Sequence, residues 1–231
     1  MHKYRYDPHA YEERYRRVYE AGAEFWEEPI ATEALVKFIQ EFNLPAGLMV
    51  VDLGCGEGRD SIFLSKTGFH VIGIDVSPSA VKRAKKWARR EGALLDFLVA
   101  DVAELPIRSE VYDLAVNVAC LHMIIDQNVR NHHLREAFRV LKSGGIYFSC
   151  NLGVDEPVSV EEFRKKPGGF VSRKVKVEGK EKEILLPIIP AWPKTREQYL
   201  DEFTQAGFKI LKVYREETKP IGSCWILVAK K

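Results

Sequence analysis

One turn constrains this chain more than any other feature. Val50-Val-Asp-Leu-Gly-Cys-Gly-Glu-Gly58 is a short β-rich run that ends in an acid and then in glycines at 54, 56 and 58, just before Arg59-Asp60-Ser61 opens an amphipathic stretch. A strand that passes through a glycine turn into a helix is the start of a βα unit, and such a unit returns the chain to a parallel neighbour. The alternation continues to residue 150. Strands are expected at Leu48–Asp52, His70–Asp75, Asp96–Ala100, Tyr112–Asn117 and Ile146–Cys150. Helices are expected at Asp60–Lys66, from Pro78 to Gly92 with Ser77 as N-cap, and at Arg130–Leu141, stopped by Ser143-Gly144-Gly145.

The rhythm changes after residue 150. Asn151–Lys194 mixes charges of both signs with five prolines, and within it Phe170–Val177 and Glu183–Ile189 flank Glu178-Gly179-Lys180, a hairpin expected outside the main sheet. A helix over Thr195–Ala206 precedes strands Phe208–Tyr214 and Trp225–Ala229. Their joint at Pro220/Gly222 is too short for a parallel return, so this pair is antiparallel. Ahead of the first strand, Tyr11, Tyr15 and Tyr19 repeat at helical spacing, and Leu35–Phe42 forms a second amphipathic helix.

Composition narrows the function classes. The 35 Lys and Arg against 33 Asp and Glu give a net charge of +2, without the basic excess of a chain that lives on nucleic acid. Basic runs at Lys82-Arg83, Lys85-Lys86, Arg89-Arg90 and Arg164-Lys165-Lys166 have acids nearby and read as solvated faces. Cys55, Cys120, Cys150 and Cys224 are widely spaced, so neither a disulfide framework nor a zinc ribbon is expected, and no metal. The start has no apolar leader core, and the most apolar run, Ala115–Ile125, is broken by Asn117 and His122. The expectation is a soluble, cytoplasmic chain, monomeric or homodimeric.

The glycine turn alone is compatible with a plain βα connection. Its neighbours say more. Arg59 stands where a dinucleotide fingerprint needs its third glycine, and Gly58-Arg59-Asp60 is not a Walker loop. Asp52 would repel a pyrophosphate but suits an ammonium or sulfonium. Asp75, 23 residues later at the end of the second strand, is placed to accept hydrogen bonds from both hydroxyls of a ribose.

Together, Val-Asp-Leu-Gly-Cys-Gly-Glu-Gly, Gly-Ile-Asp75-Val-Ser and Ala100-Asp101-Val102 resemble the class I S-adenosylmethionine-dependent methyltransferases over about residues 45–150. Gly-Arg59-Asp60-Ser61, Gly68-Phe-His-Val-Ile-Gly, Tyr112-Asp-Leu and the closing Ile226–Lys231 resemble the tellurite-resistance-type, thiopurine-type and quinone-precursor groups. The resemblance implies an α/β fold. It is a Rossmann-like doubly wound sheet of seven strands, five parallel plus a C-terminal antiparallel hairpin, with an N-terminal helical lid and an insert after strand five. Its parts would be a cap at 1–44, a cofactor core at 45–150, an insert at 151–194 and a final helix and hairpin at 195–231 of one domain. The implied cofactor is S-adenosylmethionine, with S-adenosylhomocysteine as product. The matched motifs carry over as cofactor-binding residues Asp52, Gly54, Cys55, Gly56, Gly58, Asp75 and Val76. They also carry over Asp101 at the adenine amino group with Val102 beside it, and Asn117 flanking the methyl.

Tyr11, Tyr15, Tyr19 and Trp26 are candidates for a lid with aromatic faces near the sulfonium, a contact worth ~0.5–2 kcal/mol. They are equally readable as a capping helix packed on the domain. Trp192 would supply a second wall. His122, at the sheet edge where ligands of such folds bind, is a candidate general base or substrate contact, or a structural histidine. His132-His133 read as surface. Cys120 lacks the Pro-Cys dipeptide of cysteine-based pyrimidine methyltransferases, and Asn117-Val-Ala-Cys120 is not Asn/Asp-Pro-Pro-Tyr. The expected function is methyl transfer to an N, O, S or C atom of a small molecule. RNA or protein methylation, or cofactor binding without turnover, are the alternatives.

Overall fold

The computed structural model describes residues 7–26, 28–159 and 169–231. Five strands run parallel: β1 (Met49–Leu53), β2 (His70–Asp75), β3 (Asp96–Val99), β4 (Tyr112–Val118) and β5 (Leu141–Leu152). β6 (Phe170–Val177) and β7 (Lys180–Pro187) form a separate antiparallel hairpin. β8 (Lys209–Thr218) and β9 (Gly222–Lys230) complete the main sheet, β9 antiparallel to β5. Among the described residues the sheet has seven strands in the order β3-β2-β1-β4-β5-β9-β8. The order reverses between β1 and β4, and that crevice is where open α/β sheets bind ligands.

The helices are α1 (Pro8–Glu20), α2 (Glu33–Phe42), α3 (Arg59–Lys66), α4 (Pro78–Arg90), α5 (Gln127–Val140) and α6 (Arg196–Gln205). Successive strand residues face opposite sides, so Val50, Leu114 and Phe148 pack under α2 and α3, while Val51, Ala115 and Tyr147 pack under α5 and α6. Both faces are covered, which accounts for the nearly continuous apolar strands. Ser77 caps α4 through Ala80 N, and Thr195 with Gln198 forms a capping box on α6.

The structure differs from the sequence expectations at several places. α5 begins at Gln127, because Asp126 accepts from Asn128 N and Val129 N as its N-cap. Ser143-Gly144-Gly145 does not stop that helix. The chain turns extended at Leu141 and β5 starts there, with the extra residues absorbed where the β4/β5 register shifts between Tyr112 and Leu114. The second hairpin strand is Lys180–Pro187 rather than Glu183–Ile189, since the two-residue turn Glu178-Gly179 lets pairing begin at Lys180. His133 is fully buried, not on the surface, because it lies on the same α5 face as Arg130, Leu134 and Ala137; His132 is exposed. On α4, Lys82, Lys85, Lys86, Arg89 and Arg90 are exposed as expected, Arg90 pairing with Glu24 at the surface, whereas Arg83 is half-buried over the Tyr19 ring. Arg164-Lys165-Lys166 fall outside the described residues.

Candidate functional site

The glycine turn is stitched to β2: Gly54 N and Cys55 N both donate to Ile74 O, at 2.8 and 2.9 Å. Gly54 has φ +82°, and a Cβ there would lie 2.5 Å from the Cys120 Cβ and Sγ. At Gly56, φ +53°, a Cβ would come 2.8 Å from the Tyr15 hydroxyl. Only glycine fits either position. Asp75 is buried at the end of β2 and accepts from Gly56 N at 2.9 Å and Ser77 N at 2.8 Å. Burial raises its carboxyl above the usual range, against the pull of those amides. Asp52 turns its buried carboxylate to the Ser61 hydroxyl at 2.5 Å, and burial together with nearby Asp60 pushes it up to about 7. Asp60 in turn fixes Thr32 N and Oγ1 at 2.7 and 2.9 Å, which seats the start of α2. Cys55 and Gly58 are buried in the turn, and Val76 is half-buried beside Asp75. Asp101, past the end of β3, is half-buried and accepts from Ala103 N, with Val102 buried next to it.

Across the crevice, Asn117 at the end of β4 is fully buried and meets Asn151 of β5, His133 of α5 and the backbone of Leu121. His122 sits on a single 3-10 turn, Leu121–Met123. Its Nδ1 lies 3.1 Å from Asn151 Oδ1 and 3.2 Å from Leu152 N, and its carbonyl accepts from Trp192 N at 2.6 Å. Burial lowers its imidazole to about 4, with Arg130 adding to the effect. The Trp192 ring is packed by Lys194, whose Nζ is 3.0 Å from the ring centroid. Arg130 is enclosed between this turn and α6 and forms a bidentate pair with Glu202 at 2.8 and 2.7 Å.

The roof is α1. Tyr11 donates to Met123 O and Tyr19 to Glu57 Oε1, both at 2.7 Å, and Trp26 N donates to the same Glu57 oxygen at 2.8 Å. Tyr15 lies between Tyr19 and Trp26, with centroids 6.2 and 5.4 Å away. Glu12 accepts from Ser77 Oγ, Ser79 Oγ and Ser79 N at 2.6, 2.6 and 3.0 Å, so a carboxylate of α1 occupies the N-terminus of α4 beside Asp75. The structure thus gathers the glycine turn and Asp75 on one side of the crevice and Asn117, Cys120 and His122 on the other, with the α1 aromatics reaching both.

Residues 50–145 match the family described as a methyltransferase domain. A solved S-adenosylmethionine-dependent methyltransferase from Methanosarcina mazei superposes with a TM-score of 0.66 at 24% identity, covering 84% of this chain and 96% of that one. Residues 50–145 thus resemble a methyltransferase domain, on a fold shared with S-adenosylmethionine-dependent methyltransferases. A tRNA (carboxymethyluridine(34)-5-O)-methyltransferase of Arabidopsis thaliana is 35% identical over 45% of this chain. A probable thiol methyltransferase of the same plant is 29% identical over 68% of this chain and 73% of its own length. Further relatives are named for ubiquinone biosynthesis and for protein lysine methylation. The chain spans 24% of the tRNA enzyme and 42% of a ubiquinone-biosynthesis O-methyltransferase from Methylobacterium.

S-adenosylmethionine, the cofactor that the resemblance implies, is chemically compatible with the residues present. Gly54 and Gly56 let the turn's backbone approach its neighbours closely, and the acids at the ends of β2 and β3 are acceptors for hydroxyl and amino groups. Among the described residues no group of three or more His, Cys, Asp or Glu side chains could hold a metal ion. No helix among them is long and apolar enough to cross a membrane.

Sequence reasoning missed Glu12, Glu57, His133 and the Arg130–Glu202 pair. Of these, Arg130 and His133 left a local signal, since both share one helix face with Leu134 and Ala137. Two buried imidazoles have a measurable consequence, because burial lowers both His122 and His133 from 6.5 to about 4. The neutral rings favour the folded state fully above pH 6.5, and that contribution is lost as pH falls toward 4. Each ring accounts for roughly 3 kcal/mol at most. Urea unfolding of the wild type and of His133→Gln across this window is expected to show a shallower acid loss in the variant. Parallel curves would contradict it.

Proposed function

We propose that the chain transfers a methyl group from S-adenosylmethionine to an N, O, S or C nucleophile of a small molecule. The observation that carries this reading is the glycine turn with Asp75 and the buried Asn117 meeting at the switch point of the sheet, with the α1 aromatics hydrogen-bonded to both sides. When bound, the cofactor would supply a sulfonium methyl for transfer to the nucleophile, with the neutral thioether S-adenosylhomocysteine as leaving group. The protein's share is then to bind, align and exclude water, which can supply several kcal/mol of barrier reduction. In this reading Asp75 holds the ribose hydroxyls, Asp101 and the Val102 backbone hold adenine, and the turn from Asp52 to Gly58 with Val76 lines the remainder. Asn117 flanks the methyl.

His122 serves as an orienting contact rather than as a base. An imidazole held near 4 accepts protons poorly at neutral pH, and its Nδ1 already faces Leu152 N and Asn151. Substrate would enter against Trp192 and the insert. A nucleophile protonated at working pH would therefore surrender its proton to solvent or to the substrate's own groups.

The near-neutral charge and the scattered basic side chains support a small substrate over RNA. Calorimetry with S-adenosylmethionine, S-adenosylhomocysteine and NAD tests the cofactor. Binding of the first two alone is expected, and NAD binding without them would sink the assignment. Incubating the protein and labelled cofactor with separated small-molecule, RNA and protein fractions tests the acceptor class, and label in RNA or protein alone would overturn the small-molecule reading.

The lid carries its own expectation. Ligand would supply a further wall against Tyr11, Tyr15, Tyr19 and Trp26. Cofactor should slow amide hydrogen exchange in α1 more than in the sheet core. Equal exchange with and without ligand would make α1 fixed structure.

A further inference from the structure

Four buried amide and imidazole side chains form one continuous chain beneath the C-terminal ends of β4 and β5. Its polarity can be read atom by atom. The Val102 carbonyl can only accept, so His133 Nδ1, 3.2 Å away, carries the hydrogen. Burial keeps the ring neutral, which leaves Nε2 as an acceptor for Asn117 Nδ2 at 3.0 Å and Tyr147 Oη at 3.1 Å. That fixes the Asn117 amide. Its nitrogen faces His133, and its oxygen accepts from Leu121 N at 3.1 Å and Asn151 Nδ2 at 2.9 Å. Asn151 Oδ1 then accepts from His122 N at 3.2 Å, and its Nδ2 also meets Ser149 Oγ at 2.9 Å. A flipped Asn117 would set N–H against N–H at Leu121 and at Asn151, so the Asn117 amide has one orientation.

We propose that His133 is a positioning residue. It locks the Asn117 amide, and through it the 3-10 turn bearing His122, to the loop after β3. The adenine-side and methyl-side walls of the cofactor site then hold one fixed spacing. This rests on the cofactor reading above. His133 sits on the far side of Asn117 from Asn151 and acts only through the groups it orients.

Nitrogen-15 spectra of the wild type test the chain directly. His133 should be the neutral Nδ1–H tautomer at pH 7, and its Nε2 resonance should move when S-adenosylhomocysteine is added. His133→Leu should weaken S-adenosylhomocysteine binding by about tenfold through loss of the locked amide. Val140→Ala, equally buried on α5 and outside the chain, should change binding less than twofold. In an Asn117→Ala background, His133→Leu should cost little more, since its target is already gone. His133→Gln, which can still bridge both neighbours, should recover part of the loss. An Nε2–H tautomer, fully additive losses, or wild-type affinity in His133→Leu would overturn the proposal while leaving the cofactor assignment intact. Failure of the wild type to bind either adenosyl compound would overturn both.

Discussion

Replacing Glu202 with alanine is expected to destabilise the fold by ~3–5 kcal/mol, the largest loss anticipated for a polar side chain here. Glu202 lies on α6 and its carboxylate is shared. Arg130 holds it through Nε and Nη2 at 2.8 and 2.7 Å, Gln127 donates at 2.9 Å, and Lys194 stands 3.8 Å away. Burial by itself would raise the Glu202 carboxyl, but the Arg130 bonds and charge outweigh it and hold the group below its usual range. Without the carboxylate, a fully enclosed guanidinium and a nearly enclosed ammonium would be left with no salt-bridging anion among the described residues. Lys194 already shows the strain of burial, lowered to about 8. The consequence reaches the site, because Arg130 Nη1 also donates to the carbonyls of Leu121 and Ile124, which bracket His122. Urea unfolding at pH 7 measures the loss. The double variant Arg130→Met, Glu202→Leu should recover most of it, since apolar replacement of a buried pair is often neutral. A loss below ~1 kcal/mol in Glu202→Ala would mean that water reaches the pair.

Asp75→Ala should weaken cofactor affinity by ~2–4 kcal/mol, about thirtyfold to several hundredfold, if the carboxylate bonds both ribose hydroxyls. Sequence reasoning alone expects the fold to tolerate the change, because a residue at the ligand end of a strand carries little core. The structure adds a cost. Gly56 N and Ser77 N both donate to this carboxylate, and leaving them buried without an acceptor costs ~1–3 kcal/mol each. Asp75→Ala is therefore expected to lower the melting temperature as well. Asp75→Asn retains one acceptor oxygen and should separate the two effects, losing affinity with a smaller loss of stability. A cofactor analogue lacking the 2′-hydroxyl should bind the wild type more weakly and Asp75→Ala about equally with the parent compound. Equal losses in both proteins would remove the ribose role while leaving the turn-holding role in place.

Much of this molecule is written in short-range pattern. Apolar runs of strand length alternating with amphipathic stretches define the five parallel strands, and the short Pro220/Gly222 joint defines the antiparallel close. The glycines at 54 and 56 follow from what touches them, Cys120 and Tyr15, but the need for a side-chain-free turn was already visible in their spacing after a strand. That Asp75 and Asp101 lie where β2 and β3 end was legible for the same reason, whereas the turn of the Asp52 carboxylate to Ser61 was not. Tyr11, Tyr15 and Tyr19 on one helix face followed from periodicity alone, and the structure sets that face over the glycine turn.

What the sequence by itself determined is therefore the set of elements, their direction in the sheet and the residues delivered to its ligand edge, because these depend on local spacing. The tertiary structure decided the partners. Glu12 meets Ser77 from 65 positions away, Arg130 meets Glu202 from 72, and Asn117 meets Asn151 from 34. No period in the chain encodes such pairs, since a carboxylate or an imidazole has the same local preference whether it faces water or a buried donor. His133 turned from a presumed surface residue into the end of a buried chain for that reason. Its helix face was readable, but only packing against β4 and β5 placed an acceptor and a donor on its two nitrogens.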